Sequence, residues 1–128
     1  MNKKSGWIGV DLDGTLAHYE KWEGENHIGE PLWPMVERVK GWLRDGYTVK
    51  ILTARVGGHP RASFSPEEVT KSIEDWCEEH IGERLPVTCK KDFGMIELWD
   101  DRCVQVIANT GMPVASCKDR KRKPYKKD

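Results

Sequence analysis

No apolar run in the chain approaches the length needed to cross a bilayer, so neither a membrane-spanning helix nor a membrane partner is expected. No secretory leader is expected either. Met1–Ser5 is basic, but the apolar stretch behind it ends at Asp11, too short for a signal sequence, and a cytoplasmic location is expected. The four cysteines, Cys77, Cys89, Cys103 and Cys117, contain no C-x-x-C pair, and no Cys/His cluster has zinc-finger spacing. They read as free, mostly buried thiols. There is no kinase P-loop.

Net charge is also lacking: 21 basic and 21 acidic residues cancel over 128 positions, which is one domain's worth of chain. The cancellation is uneven, because residues 118–128 carry seven Lys/Arg and two Asp, leaving residues 1–117 with a net charge of −5. The expected organisation is a single domain over 1–117 and a basic, disordered tail over 118–128. Such a tail either solubilises the chain or touches phosphates and nucleic acid.

What the sequence does have is the stretch Ile8–Leu16, IGVDLDGTL. A short apolar run bounded by turn residues reads as a buried strand over Trp7–Val10. It ends in two carboxylates separated by one residue, Asp11 and Asp13. In extended chain, side chains two residues apart face the same way, so both can address one small volume. Buried carboxylates are costly without a cation or donors to hold them. An Asp-Gly turn accounts for Asp13-Gly14 but leaves Asp11 unexplained.

The segment Ala17–Trp33 has no clean periodicity and is rich in aromatic residues and histidine: His18, Tyr19, Trp22, His27 and Trp33. Following directly on the carboxylates, it suits a short lid, or ordinary packing. Pro34–Asp45 carries an apolar stripe at Met35, Val36, Val39, Trp42 and Leu43, as a helix with proline in its first turn and Gly46 as its stop. Thr48–Leu52 reads as a second strand, ending in Thr53-Ala54-Arg55. Ser65-Pro66-Glu67-Glu68 is a capping-box helix start. Its buried stripe runs through Val69, Ile73, Trp76, Cys77 and Ile81 to a stop at Gly82. Pro86–Cys89, Ile96–Trp99 and Val104–Ala108 read as strands three to five. Glu97 is a misfit in a strand expected to be buried.

Alternating strands and helices imply an α/β fold, a Rossmann-like parallel five-stranded sheet in three layers. Such sheets bind ligands beyond the carboxyl ends of their strands. Asp11 and Asp13, Thr53, Lys90 and Lys91, and Asp100 and Asp101 all fall at those ends.

These residues resemble, in order, the four motifs of the haloacid dehalogenase superfamily in its small phosphatase branch. Asp11-Leu12-Asp13-Gly14-Thr15 is similar to the D-x-D-G-T motif, Thr53 to the strand-end Thr/Ser, Lys91 (or its neighbour Lys90) to the lysine, and Asp100-Asp101 to the acidic pair. The resemblance spans residues 7–111 and implies the sheet order 5-4-1-2-3. Only six residues join Cys89 to Ile96. Crossing from strand three to strand four needs a diagonal of about 20 Å, and seven extended links reach about 25 Å, so a taut, non-helical connection is required. Seventeen residues between Leu16 and Pro34, and twelve between Thr53 and Pro66, leave no room for a cap domain.

The resemblance further implies a magnesium-dependent phosphomonoester hydrolase. Asp11 is then the nucleophile and Asp13 the acid and base, with Thr53 and Lys91 at the phosphoryl group. Asp11, the Asp13 carbonyl, Asp100 and Asp101 hold Mg2+, while Gly14 and Thr15 amides and Arg55 meet the phosphate. The partner implied is a small organic phosphate or a nucleotide. Thr53-Ala54-Arg55 is also similar to the Ser/Thr-Gly-Arg of polynucleotide 3′-phosphatases, which carries a second reading. A third is a non-catalytic phosphate or nucleic-acid binding module. The sequence does not set the oligomeric state.

Overall fold

The computed structural model describes residues 4–114. The basic segment 118–128, Cys117 and the domain boundary drawn before residue 118 lie outside the described residues. Within them lie four parallel strands and two α-helices, in the order β1 (Trp7–Val10), α1 (Trp33–Arg44), β2 (Thr48–Leu52), α2 (Pro66–His80), β3 (Val87–Thr88) and β4 (Met95–Trp99). The strands lie in the order β3-β2-β1-β4, with β1 paired to β2 on one side and β4 on the other. No described helix is long and apolar enough to cross a membrane.

The helices start and stop for local reasons. Pro34 sits in the first turn of α1, where its missing N–H costs nothing. At α2, the Ser65 hydroxyl accepts from the Glu68 amide and the Glu68 carboxylate accepts from the Ser65 amide, both at 3.1 Å. One apolar cluster joins Met35, Val36 and Val39 of α1, Val69, Ile73 and Cys77 of α2, and Ile8, Val10, Val49 and Ile51 of the sheet. These strand residues alternate, so they share one face of the sheet, and both helices cover that face. The second helical layer expected on the other face is not formed by the described residues.

The connection from β3 to β4 is short and non-helical, as its length demands, and runs under the start of β1. There the Trp7 amide donates to the Gly94 carbonyl at 2.8 Å and the Trp7 indole to Asp92 at 2.7 Å.

The fifth strand needs correction. Val104–Ala108 makes no strand; the segment turns back on itself through a single antiparallel bridge between Val106 and Pro113. Val104, Val106 and Ile107 are exposed. Alternating apolar residues form a buried strand only where a partner edge and a covering layer are present, and here the chain leaves β4 by a turn at Asp101–Arg102. The same finding accounts for Glu97. It is exposed on an edge strand and accepts from the Trp99 indole at 3.1 Å. Of the described cysteines only Cys77 is buried; Cys89 and Cys103 are exposed.

Candidate active site

β1 delivers Asp11 and Asp13 to the carboxyl end of the sheet, and the fully buried Leu12 anchors the chain between them. The Leu12 carbonyl accepts from the Leu16 amide at 3.0 Å and the Ala17 amide at 2.8 Å, closing a tight turn. The Gly14 amide donates to the Ala17 carbonyl at 2.8 Å and the Thr15 amide to the Leu12 carbonyl at 3.4 Å. Both amides expected to meet a phosphate thus serve the turn instead.

β4 delivers Asp100 and Asp101 to the same place, because its end is paired with that of β1: the Asp11 amide donates to the Trp99 carbonyl at 2.9 Å. The two loops are pinned together by Thr15. Its hydroxyl accepts from the Asp101 amide at 3.0 Å and donates to the Asp101 carboxylate at 3.3 Å. Asp11, Asp100 and Asp101 offer carboxylate oxygens within 4.8 Å of one another. Partial burial, then the charge of Asp100, then the hydrogen bond and charge of Asp101 push the Asp11 carboxyl up to about 8. Three hard oxygen donors crowded in this way fit a divalent cation such as Mg2+, which relieves the repulsion that raises Asp11.

Asp13 stands apart from that trio and is held by Arg55. The guanidinium donates through Nε to Oδ2 and through Nη2 to Oδ1, both at 2.8 Å. Thr53 ends β2 as expected and is buried. Its hydroxyl accepts from the Arg55 amide at 3.2 Å and caps the short 3-10 turn Ala54–Gly57 that carries Arg55. Lys90 and Lys91 are both exposed on the connection from β3 to β4, and neither forms an ion pair with a described residue.

Residues 18–30 cross beside the site as a strap. Its ends are joined by the His18 amide donating to the Glu30 carbonyl at 2.8 Å, and the Trp76 indole donates to the Gly29 carbonyl at 3.1 Å. The strap itself lines most of a cavity of about 290 Å3, through His18, Tyr19, Lys21 and His27 among others, and the cavity reaches the site at Asp13 and Arg55. Neither the strap nor the loop before α2 is a cap domain.

Two contacts escape a reading by sequence alone. The Asp13–Arg55 pair spans 42 residues and the Thr15–Asp101 pair 86. The one available signal was the placement of all four at strand ends. No family model matches the chain, and no curated protein matches its sequence.

Proposed function

We propose that the chain is a magnesium-dependent phosphomonoester hydrolase of the haloacid dehalogenase kind. It acts through an aspartyl-phosphate on a small organic phosphate or a nucleotide. The observation that carries this reading is the convergence of Asp11, Asp100 and Asp101 from two adjacent strands, with Asp13 two residues beyond the nucleophile position. Asp11, Asp100, Asp101 and the Asp13 carbonyl would hold the Mg2+. When bound, the ion offsets the charge of carboxylate and phosphate so that the two can approach.

An Asp11 oxygen attacks phosphorus, and the bond from phosphorus to the leaving oxygen breaks as Asp13, protonated on an oxygen it has withdrawn from Arg55, gives that oxygen a proton. Water then attacks the phosphorus of the aspartyl-phosphate while Asp13 takes the water's proton; inorganic phosphate departs and Asp11 is restored. The Thr53 hydroxyl donates to a phosphoryl oxygen, and Lys91, or Lys90, balances its charge. The cavity beside Asp13 receives the organic part of the substrate. Its volume of about 290 Å3 sits at the low end of small-molecule sites and suits a compact polar group better than a polymer.

The test is hydrolysis of p-nitrophenyl phosphate and of an alkyl phosphate, with Mg2+ or with a chelator. Turnover is expected with Mg2+ alone; a flat trace in both conditions contradicts the reading. Asp13→Asn should slow the first step, release of the leaving group in a single turnover, by about 10²–10⁴-fold for the alkyl phosphate and far less for p-nitrophenyl phosphate, because nitrophenolate leaves without a proton. Equal losses on both substrates would remove Asp13 from the acid role.

A further inference from the structure

Arg55 was expected at the rim of the site as a clamp for phosphate, yet its donors are already engaged. Nε and Nη2 bond both oxygens of Asp13 at 2.8 Å, and Nη1 donates to the Glu25 carbonyl at 2.9 Å and the Gly24 carbonyl at 3.4 Å. A guanidinium has five N–H groups, so these contacts leave one. Its side chain is 5% exposed, and the Trp22 ring lies over it at 4.8 Å. The backbone of Arg55 is fixed as well, through the bond from its amide to the Thr53 hydroxyl. A bidentate grip on an incoming phosphoryl group would require release of either Asp13 or the strap.

We infer that Arg55 is a positioning residue: it orients the Asp13 carboxylate and latches residues 22–25 of the strap over the neighbouring cavity, rather than binding the phosphoryl group itself. The planar fork of arginine is what permits this. It meets a carboxylate along one edge and two carbonyls along another, while one face stacks on an indole. Lysine offers a single ammonium and cannot span the same partners. The strap has other ties: the Trp76 indole donates to the Gly29 carbonyl, the Ser63 amide to the Glu25 carboxylate at 3.2 Å, and the Ser72 hydroxyl to the Asn26 side-chain carbonyl. These tie it to α2 and to the loop before α2; among the described residues, Arg55 is the side chain that connects its tip to Asp13. The assignment of Asp13 rests on the proposed hydrolase; the latch does not.

The experiment has two arms, on Arg55→Ala and Arg55→Lys. Lys21 is exposed at the tip of the strap, directly before Trp22, so trypsin reads the latch there. Cleavage after Lys21 should accelerate about tenfold or more in both variants, while sites outside the strap keep the wild-type rate. In the kinetic arm, kcat on the alkyl phosphate should fall about 10–100-fold in both variants, with KM within about threefold of wild type. Wild-type cleavage at Lys21 in Arg55→Lys, which keeps the charge and should fold if Arg55→Ala does not, overturns the latch. A large rise in KM with kcat preserved overturns the positioning role and makes Arg55 a phosphate ligand. If the wild-type protein hydrolyses nothing, the proposed function falls, and the trypsin arm still decides the latch.

Discussion

Replacing Asp11 by asparagine should abolish turnover, by about 10⁴-fold or more, and at the same time make the cation-free protein more stable. The first effect follows because an amide cannot form the aspartyl-phosphate. The second follows from the cluster. Burial and the neighbouring carboxylates raise the Asp11 carboxyl from its ordinary value of 3.8 to about 8. The folded chain therefore binds that proton more tightly than the unfolded chain. Stability from this group is fully present below pH 3.8 and is lost as the pH rises to about 8, levelling off above. The amide side chain of the variant never ionises, so its stability lacks this slope.

Because the carboxyl is only partly buried, the gain at pH 8 is about 1–2 kcal/mol after discounting for hydration, or roughly 3–6 °C in melting temperature. Thermal melts from pH 5 to pH 9 in chelator, beside a turnover assay, check both effects. A variant that retains a tenth of the wild-type rate, or that melts lower with the same slope, contradicts the assignment.

The second large effect is expected at Gly14. Its φ is +88°, a conformation that disfavours any side chain, and a Cβ there would lie 2.6 Å from Oδ2 of Asp101. That carboxylate accepts from the Thr15 hydroxyl and faces Asp11, so swinging it aside breaks the Thr15 bond and moves it away from Asp11. Gly14→Ala must therefore displace a residue of the acidic cluster. Activity should drop about 100-fold or more, with about 1–2 kcal/mol of stability lost to backbone strain. Gly82→Ala supplies the control. Gly82 has φ +97° with nothing within 4 Å of its built Cβ, far along the chain after α2. It should show a similar fall in melting temperature with wild-type turnover. If the two variants lose activity alike, the loss comes from global destabilisation and not from Asp101.

Much of the fold was legible because its signals are local. The capping box at Ser65 and Glu68 needs only four residues to form, and both of its bonds are present. The stripes of α1 and α2 bury the residues that periodicity selects, including Val36, Val39, Val69 and Ile73. Strands β1 and β2 are short apolar runs between turn residues and start and end where those turns place them. The six-residue link before β4 was constrained by chain length alone. What failed was non-local. Val104, Val106 and Ile107 alternate as a strand should, but pairing requires an edge and a cover that the pattern does not encode.

The site divides in the same way. The positions of Asp11, Asp13, Asp100 and Asp101 follow from strand ends, and the sheet brings three of them together. The bonds among site residues do not follow from strand ends. The Gly14 and Thr15 amides turn inward to close their own loop. Arg55 grips Asp13 because β2 lies directly beside β1, a neighbour relation absent from the local sequence of either strand.

The most direct measurement is a calorimetric Mg2+ titration of the wild-type chain, Asp11→Asn and Asp100→Asn. One ion per wild-type chain is expected, with affinity at least tenfold weaker in each variant, since removing either carboxylate removes a ligand and a charge. Unchanged affinity in both variants, or no wild-type binding at millimolar Mg2+, would contradict the claim that residues from two strands make a single cation site.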